Sequence, residues 1–234
     1  MTVSKISKKR LLDSKRKLVA KYDPKSPISE QYRTIRTNIM YSSIDNEIRS
    51  IMVTSSGPGE GKSTTTANLA VVFAQQGKSV LLVDADLRKP TVHYTFKLNN
   101  ILGLTSILTN QTTLKEAVSK ADESSLYILS SGPVPPNPSE LLGSKAMKSF
   151  MKEALEEFDL IIFDTPPVLA VTDAQILGNL CNGSVLVVSS GKTEKESLLK
   201  TKEILTNSNG KLLGVVLNNK KADKKGNYYY YGAN

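Results

Sequence analysis

Three short stretches hold residue types that can act on a phosphate ester: SSGPGEGKST (55–64), VLLVDADLRKP (80–90) and LIIFDTPP (160–167). In the first, Gly57, Gly59 and Gly61 let backbone N–H groups, those of Glu60 and Thr64 among them, converge on phosphate oxygens. Lys62 adds a point charge and Ser63 a hydroxyl for Mg²⁺. The usual loop begins with glycine four residues before Gly-Lys-Ser/Thr, and here that position is Ser56. The other two stretches each deliver an aspartate at the end of an apolar run: Asp84 with Asp86, then Asp164. Carboxylates beside a triphosphate repel it unless Mg²⁺ neutralises them. One can then hold metal while another accepts a proton from an attacking hydroxyl. A fourth stretch, Tyr228 to Tyr231, places four of the chain's nine tyrosines within its last seven residues, behind Lys220, Lys221, Lys224 and Lys225. Chain ends usually fray, so adjacent rings there serve docking or modification rather than a core.

Positioning these groups requires strands that end at one edge. Short apolar runs at 50–54, 79–83, 126–130, 160–163, 184–188 and 213–217 read as strands. Helical patterns lie between most of them, at 64–76, 138–157, 172–181 and 194–206. A further helix opens at Ser26-Pro27, an N-cap followed by an N1 proline, and runs to Tyr41. Strands alternating with helices predict an α/β fold, a P-loop NTPase with a mostly parallel sheet flanked by helices on both faces. Ligands of such sheets bind outside the carboxyl ends of the strands. The stretches 87–96 and 130–140 read as connections near that edge.

Composition narrows the rest. The 234 residues carry a formal charge of +9. Residues 1–21 hold eight Lys/Arg against Asp13 alone, so 1–23 is expected to be a basic flexible tail, 24–219 the catalytic domain and 220–234 a second basic flexible tail. A basic arm suits an anionic lipid, nucleic acid or acidic partner, or simply solubilises. The single cysteine, Cys181, excludes an internal disulfide and reads as a small buried hydrophobe. The single histidine, His93, argues against a His/Cys metal site. No apolar run approaches the roughly 18 residues of a membrane span, and the N-terminus lacks a secretory core, so a cytoplasmic location is expected.

The three motifs, together with the tyrosine-rich end, closely resemble the bacterial tyrosine kinases, P-loop proteins related to septum-placing and partition ATPases. The resemblance spans about residues 23–234. Partition-type relatives carry an additional lysine in the loop, KGGxGK, where this chain has Gly57. The resemblance implies that Lys62 binds phosphates, Ser63 and Asp84 hold Mg²⁺, Asp86 takes the tyrosine proton, and Asp164 is the Walker-B carboxylate. It implies autophosphorylation at Tyr228, Tyr229, Tyr230 and Tyr231 with ATP and Mg²⁺. Glu30, Arg33 and Arg36, three apart on one helix face, match an E-x-x-R-x-x-R element for subunit contacts in a homo-oligomeric ring. Further implications are a separate transmembrane activator with a cytoplasmic tail, other protein substrates, a cognate tyrosine phosphatase, recruitment to the inner face of the membrane, and control of capsule or exopolysaccharide production. No sequence-specific nucleic acid is expected.

Some readings stay open on sequence alone. Asp173 either reaches the nucleotide or complements a helix dipole. Asn218 either reads adenine or, with Asn219, forms a turn. Arg88 and Lys89 either hold phosphate or shape their loop. A positioning ATPase that hydrolyses ATP without making phosphotyrosine is the alternative function. A nucleotide-gated adaptor docking through its tyrosines is a third.

Overall fold

The computed structural model describes residues 18–42, 47–121 and 125–221. The tyrosine cluster and most of the basic N-terminal arm lie outside the described residues. Along the chain run α1 (Val19–Tyr22), α2 (Pro27–Tyr41), β1 (Ser50–Ser55), α3 (Lys62–Ala74), β2 (Val80–Asp84), α4 (Val92–Phe96), α5 (Leu104–Leu108) and α6 (Leu114–Ala117). There follow β3 (Ser119–Lys120), β4 (Leu126–Leu129), α7 (Pro138–Leu142), α8 (Lys145–Glu157), β5 (Leu160–Asp164), α9 (Asp173–Gly178), β6 (Gly183–Ser189), α10 (Lys195–Thr206) and β7 (Lys211–Asn218).

The strands form one sheet in the order β3-β4-β2-β5-β1-β6-β7. All neighbours are parallel except the two-residue β3, which pairs antiparallel with β4. Period-two alternation sends successive side chains to opposite faces. Ile51, Val53, Leu82, Ile162 and Val187 pack under α1, α2 and α3, while Met52, Leu81, Phe163 and Leu186 pack under α5, α8, α9 and α10. The central strands are therefore buried on both sides, as their unbroken apolar sequences require.

Several expectations are corrected. The N-terminal tail was expected to reach residue 23, but Leu18 and Ala20 are buried. The Ala20 N–H donates to Asn68 Oδ1 at 2.9 Å, and Gln75 Nε2 donates to the Ala20 carbonyl at 3.0 Å. A short apolar segment inside a basic arm suffices to seat it on α3. The single helix expected over 138–157 is two: Ser144 is extended (ψ 165°), and its hydroxyl accepts the Met147 N–H to start α8 afresh. The connection 87–96 contains α4, because Asp84 Oδ2 accepts the N–H groups of Thr91 and Val92 at 3.0 and 2.9 Å. Ser26 does cap α2, accepting the Ser29 N–H at 3.2 Å ahead of Pro27.

Candidate active site

The site lies where β1, β2 and β5 end. In register, Val53 stands beside Asp164 and Asp84 beside Asp164, so two carboxylates occupy neighbouring strand ends next to the phosphate loop. That loop turns from β1 into α3. Gly61 has φ +95°, and a Cβ there would fall 2.0 Å from Asn218 Nδ2. Only glycine meets both demands. Ser56 takes the place of the missing glycine without strain: its backbone φ is not positive, and its N–H donates to Glu60 Oε2 at 3.0 Å. The Glu60 carboxylate is thus occupied inside the loop, since Thr193 Oγ1 also donates to Oε1 at 2.6 Å. What Glu60 can offer a phosphate is its backbone N–H.

Lys62 is the hub. Its Nζ donates to Asp86 Oδ2 at 3.0 Å and to Asp164 Oδ1 at 3.4 Å, and lies 3.2 Å from Ser63 Oγ. Burial pulls the ammonium pKa down, but the carboxylates of Asp164, Asp86 and Asp84 outweigh it and hold Lys62 charged above its ordinary range. The three acids outnumber that one charge. Asp164 is fully buried, and burial raises its pKa against the pull of Lys62. Asp84 is pushed up to about 8 by burial first and by the Asp164 charge second, which the Val92 N–H and Lys62 only partly offset. Asp86 Oδ1 accepts the Lys89 N–H at 3.0 Å, leaving the side chain poised between its own loop and Lys62.

The open readings resolve in part. Asp173 is buried and pairs with Arg88, whose Nε and Nη2 donate to its two oxygens at 2.9 and 3.0 Å. Ser139 Oγ adds a third donor at 2.6 Å. Asp173 therefore holds Arg88 rather than a nucleotide, and Arg88 shapes the turn that carries Asp86. Asp173→Asn keeps the shape and removes the charge. It is expected to lower stability by about 1–3 kcal/mol, the range for a buried charge pair broken beside a half-exposed arginine. Thermal unfolding checks this; a melting temperature unchanged within about a degree would mean the clasp bears no load. Asn218 donates from Nδ2 to the Glu60 carbonyl at 2.9 Å and so abuts the loop. On α2, Glu30 pairs with Arg33, which also reaches the Pro24 carbonyl at 2.7 Å, while Arg36 donates to the Val72 carbonyl at 2.6 Å. These residues share one helix at a distance in sequence from the acids, as their spacing predicts.

Two contributors escaped sequence reading: Lys192 Nζ donates to the carbonyls of Pro58 and Gly59 at 2.9 and 3.2 Å, and Thr193 grips Glu60. Their signal was a polar turn after β6, the strand beside β1.

The residues fit a nucleotide-borne Mg²⁺. Asp84 Oδ1 is buried without a hydrogen-bond partner, an orphan acceptor facing cost unless a cation reaches it. Among the described residues no cluster forms an all-protein metal cage. That matches a metal bound by one or two carboxylates with substrate phosphates completing the shell.

The comparisons agree with this geometry. Residues 48–208 match the family model described as "AAA domain". The chain is 60% identical over 217 residues to "Tyrosine-protein kinase YwqD" of Bacillus subtilis (strain 168), covering 93% of this chain and 92% of that one. Among solved structures, it resembles the chimerical protein CapA2B2 with a TM-score of 0.86 at 45% identity, over 88% of this chain and 91% of that one. It resembles the kinase domain of Escherichia coli tyrosine kinase ETK with a TM-score of 0.84 at 32% identity, over 93% and 85% of the two chains.

Proposed function

Because this chain belongs to the bacterial tyrosine-protein kinase family, we propose that its site moves the γ-phosphoryl group of ATP onto Tyr228, Tyr229, Tyr230 and Tyr231 of a neighbouring copy and onto other protein tyrosines. The chain is a protein-tyrosine kinase with a nucleotide-binding P-loop fold. One observation carries the assignment of roles: the phosphate-loop lysine reaches two carboxylates that different strands deliver, Asp86 and Asp164. The alternative, a positioning ATPase, is not favoured, since its close relatives are named tyrosine-protein kinases.

In this reading the loop N–H groups from Gly57 to Thr64, with the N-terminus of α3, hold the phosphates. Lys62 leaves Asp86 for the transferring group, which frees Asp86 to accept the tyrosine proton as the phenol oxygen bonds to phosphorus and ADP departs. Ser63, Asp84 and Asp164 would hold Mg²⁺, which supplies positive charge to the phosphates when bound. Asn218, abutting the loop, is placed to meet the base. Glu30, Arg33 and Arg36 would join copies into a ring. A separate transmembrane protein would supply an activating cytoplasmic tail at the inner face of the membrane, and a cognate phosphatase would reset the tyrosines. Capsule or exopolysaccharide synthesis is the process we assign to it. Among the described residues no helix is long and apolar enough to cross a membrane. Each phosphate adds about −1.5 to −2 charge, so a modified tail changes sign and leaves its neighbour. Incubating the full chain with Mg-ATP and mapping phosphate by peptide mass spectrometry tests the reading. Phosphate on residues 228–231 supports it, and ATP turnover without phosphotyrosine sinks it.

A pH dependence follows from Asp84. Its carboxyl keeps a proton up to about pH 8, against an ordinary value of 3.8. Mg²⁺ must displace that proton, so metal affinity is expected to rise with pH until about 8 and then level off. Calorimetry in buffers of different ionisation enthalpy should register release of about one proton near pH 6.5 and almost none above pH 9. Equal release at both would contradict a protonated Asp84. By the same sign, the metal-free fold loses stability as pH rises from about 4 to about 8, because the unfolded chain releases this proton first.

A further inference from the structure

Among the described residues, five of the twelve large apolar side chains left exposed (Tyr94, Ile101, Leu102, Val134 and Leu169) occupy connections leaving the carboxyl ends of β2, β4 and β5. Three of them belong to one fixed platform. The loop 132–139 starts three residues beyond Leu129, the rung partner of Val83, and Asp86 lies three residues beyond Val83. It ends at Ser139, whose hydroxyl meets both Arg88 and Asp173. The loop therefore arches across the turn that carries Asp86, and its crest exposes Pro133, Val134 (60%) and Pro136. Beside it, Asn100 locks onto Gly132 in both directions: Oδ1 accepts its N–H and Nδ2 donates to its carbonyl, each at 2.9 Å. Ser130 Oγ donates to the Leu102 carbonyl at 2.9 Å. Gly103 approaches so closely that a Cβ would fall 2.2 Å from Gly132 N and from Ser130 O. Ile101, 73% exposed, and Leu102, 43% exposed, are thus held against water by a backbone that cannot yield. Exposed apolar clusters on a fixed support mark binding surfaces.

The geometry points to this rim of Ile101, Leu102, Val134 and the flanking prolines as the docking surface for the acceptor, an extended tyrosine-bearing segment such as Asn227–Tyr231 of a second copy. The inference deepens the kinase reading and rests on it. The rim is continuous with Asp86, the group placed to take the phenolic proton. Aliphatic and proline faces pack against phenol rings while leaving the hydroxyl free. The segment 227–231 carries no charge and four rings, so it matches a rim that offers apolar contact and no described ion pair.

The test uses full-length enzyme in which Tyr228–Tyr231 are phenylalanine, supplied with a peptide of residues 218–234. The variant Ile101→Ser/Leu102→Ser/Val134→Ser is expected to raise the peptide KM at least about tenfold, from the apolar area no longer buried, with the ATP KM and the kcat at saturating peptide unchanged. Fluorescence anisotropy of the labelled peptide, run in parallel, should show the same weakening in Kd. An unchanged peptide KM and Kd would overturn the proposal. So would loss of oligomeric state with unchanged peptide KM, which would assign the rim to contacts between the bodies of two copies. Undetectable binding of the peptide to the parent enzyme also counts against it. If the parent binds the peptide but transfers no phosphate, and the variant binds it more weakly, the surface stands and the transfer reading fails instead.

Discussion

Replacing Lys62 with methionine is expected to lower transfer to the tail tyrosines by about 10²–10³-fold, the loss typical of removing one fixed charge from a developing phosphoryl transition state. Methionine fills similar space without the ammonium, so the fold should persist. The electrostatics should not. Lys62 is the cation that sits 3.0 Å from Asp86 and 3.4 Å from Asp164. Without it the buried carboxylates face an incoming polyphosphate with nothing on the loop to offset them. ATP affinity should fall along with transfer. Intact mass spectrometry over a time course measures the first, and equilibrium nucleotide binding the second. Phosphate accumulating within a few-fold of the parent rate would show that the charge does not act on the transferring group.

Asp86→Asn is expected to have a comparable effect with a different signature. Loss of the proton acceptor should reduce kcat by about 10²–10⁴-fold, the usual contribution of a positioned base, while the ATP KM stays within a few-fold. The asparagine oxygen can still accept the Lys89 N–H that Asp86 Oδ1 accepts now, so the turn should keep its shape. If ATP affinity instead fell in step with kcat, Asp86 would be acting on the nucleotide or its metal rather than on the phenol. Read together, the two variants separate a group that serves phosphate from one that serves the acceptor.

Much of this site was legible from the chain because its groups sit at predictable places on regular elements. The strand ends at Asp84 and Asp164 follow from apolar runs that stop at an acid, and a parallel sheet brings such ends to one edge. Gly61 and Lys62 follow from the loop pattern. What escaped was set by contacts between segments far apart in sequence. Nothing local says that Asp173 will meet Arg88, because the pair forms only when β5 lies beside β2. Lys192 and Thr193 look like an ordinary polar turn until β6 is placed next to β1. The two-residue β3 is too short for periodicity to register, and the break at Gly143-Ser144 hides inside a helical pattern because a serine cap is also a tolerable helix residue. The seating of Leu18 and Ala20 was masked by the lysines and arginines around them.

The end of β7 has a mechanical consequence. The strand runs parallel to β6 at the border of the sheet, and its last residue, Asn218, has its carbonyl bonded to the Ser190 N–H at 2.8 Å and its side chain bonded to the phosphate-loop carbonyl of Glu60. The tail continues from that residue. Tension applied to the tail, along the strand's own direction, would fall first on these two bonds. Bonds on a border strand loaded from one end give way in sequence, like the teeth of a zip, rather than all at once. The tether of the substrate tyrosines and the wall of the nucleotide pocket are thus joined at a single residue, and the loop would be the first part of the body to feel a pull on the tail.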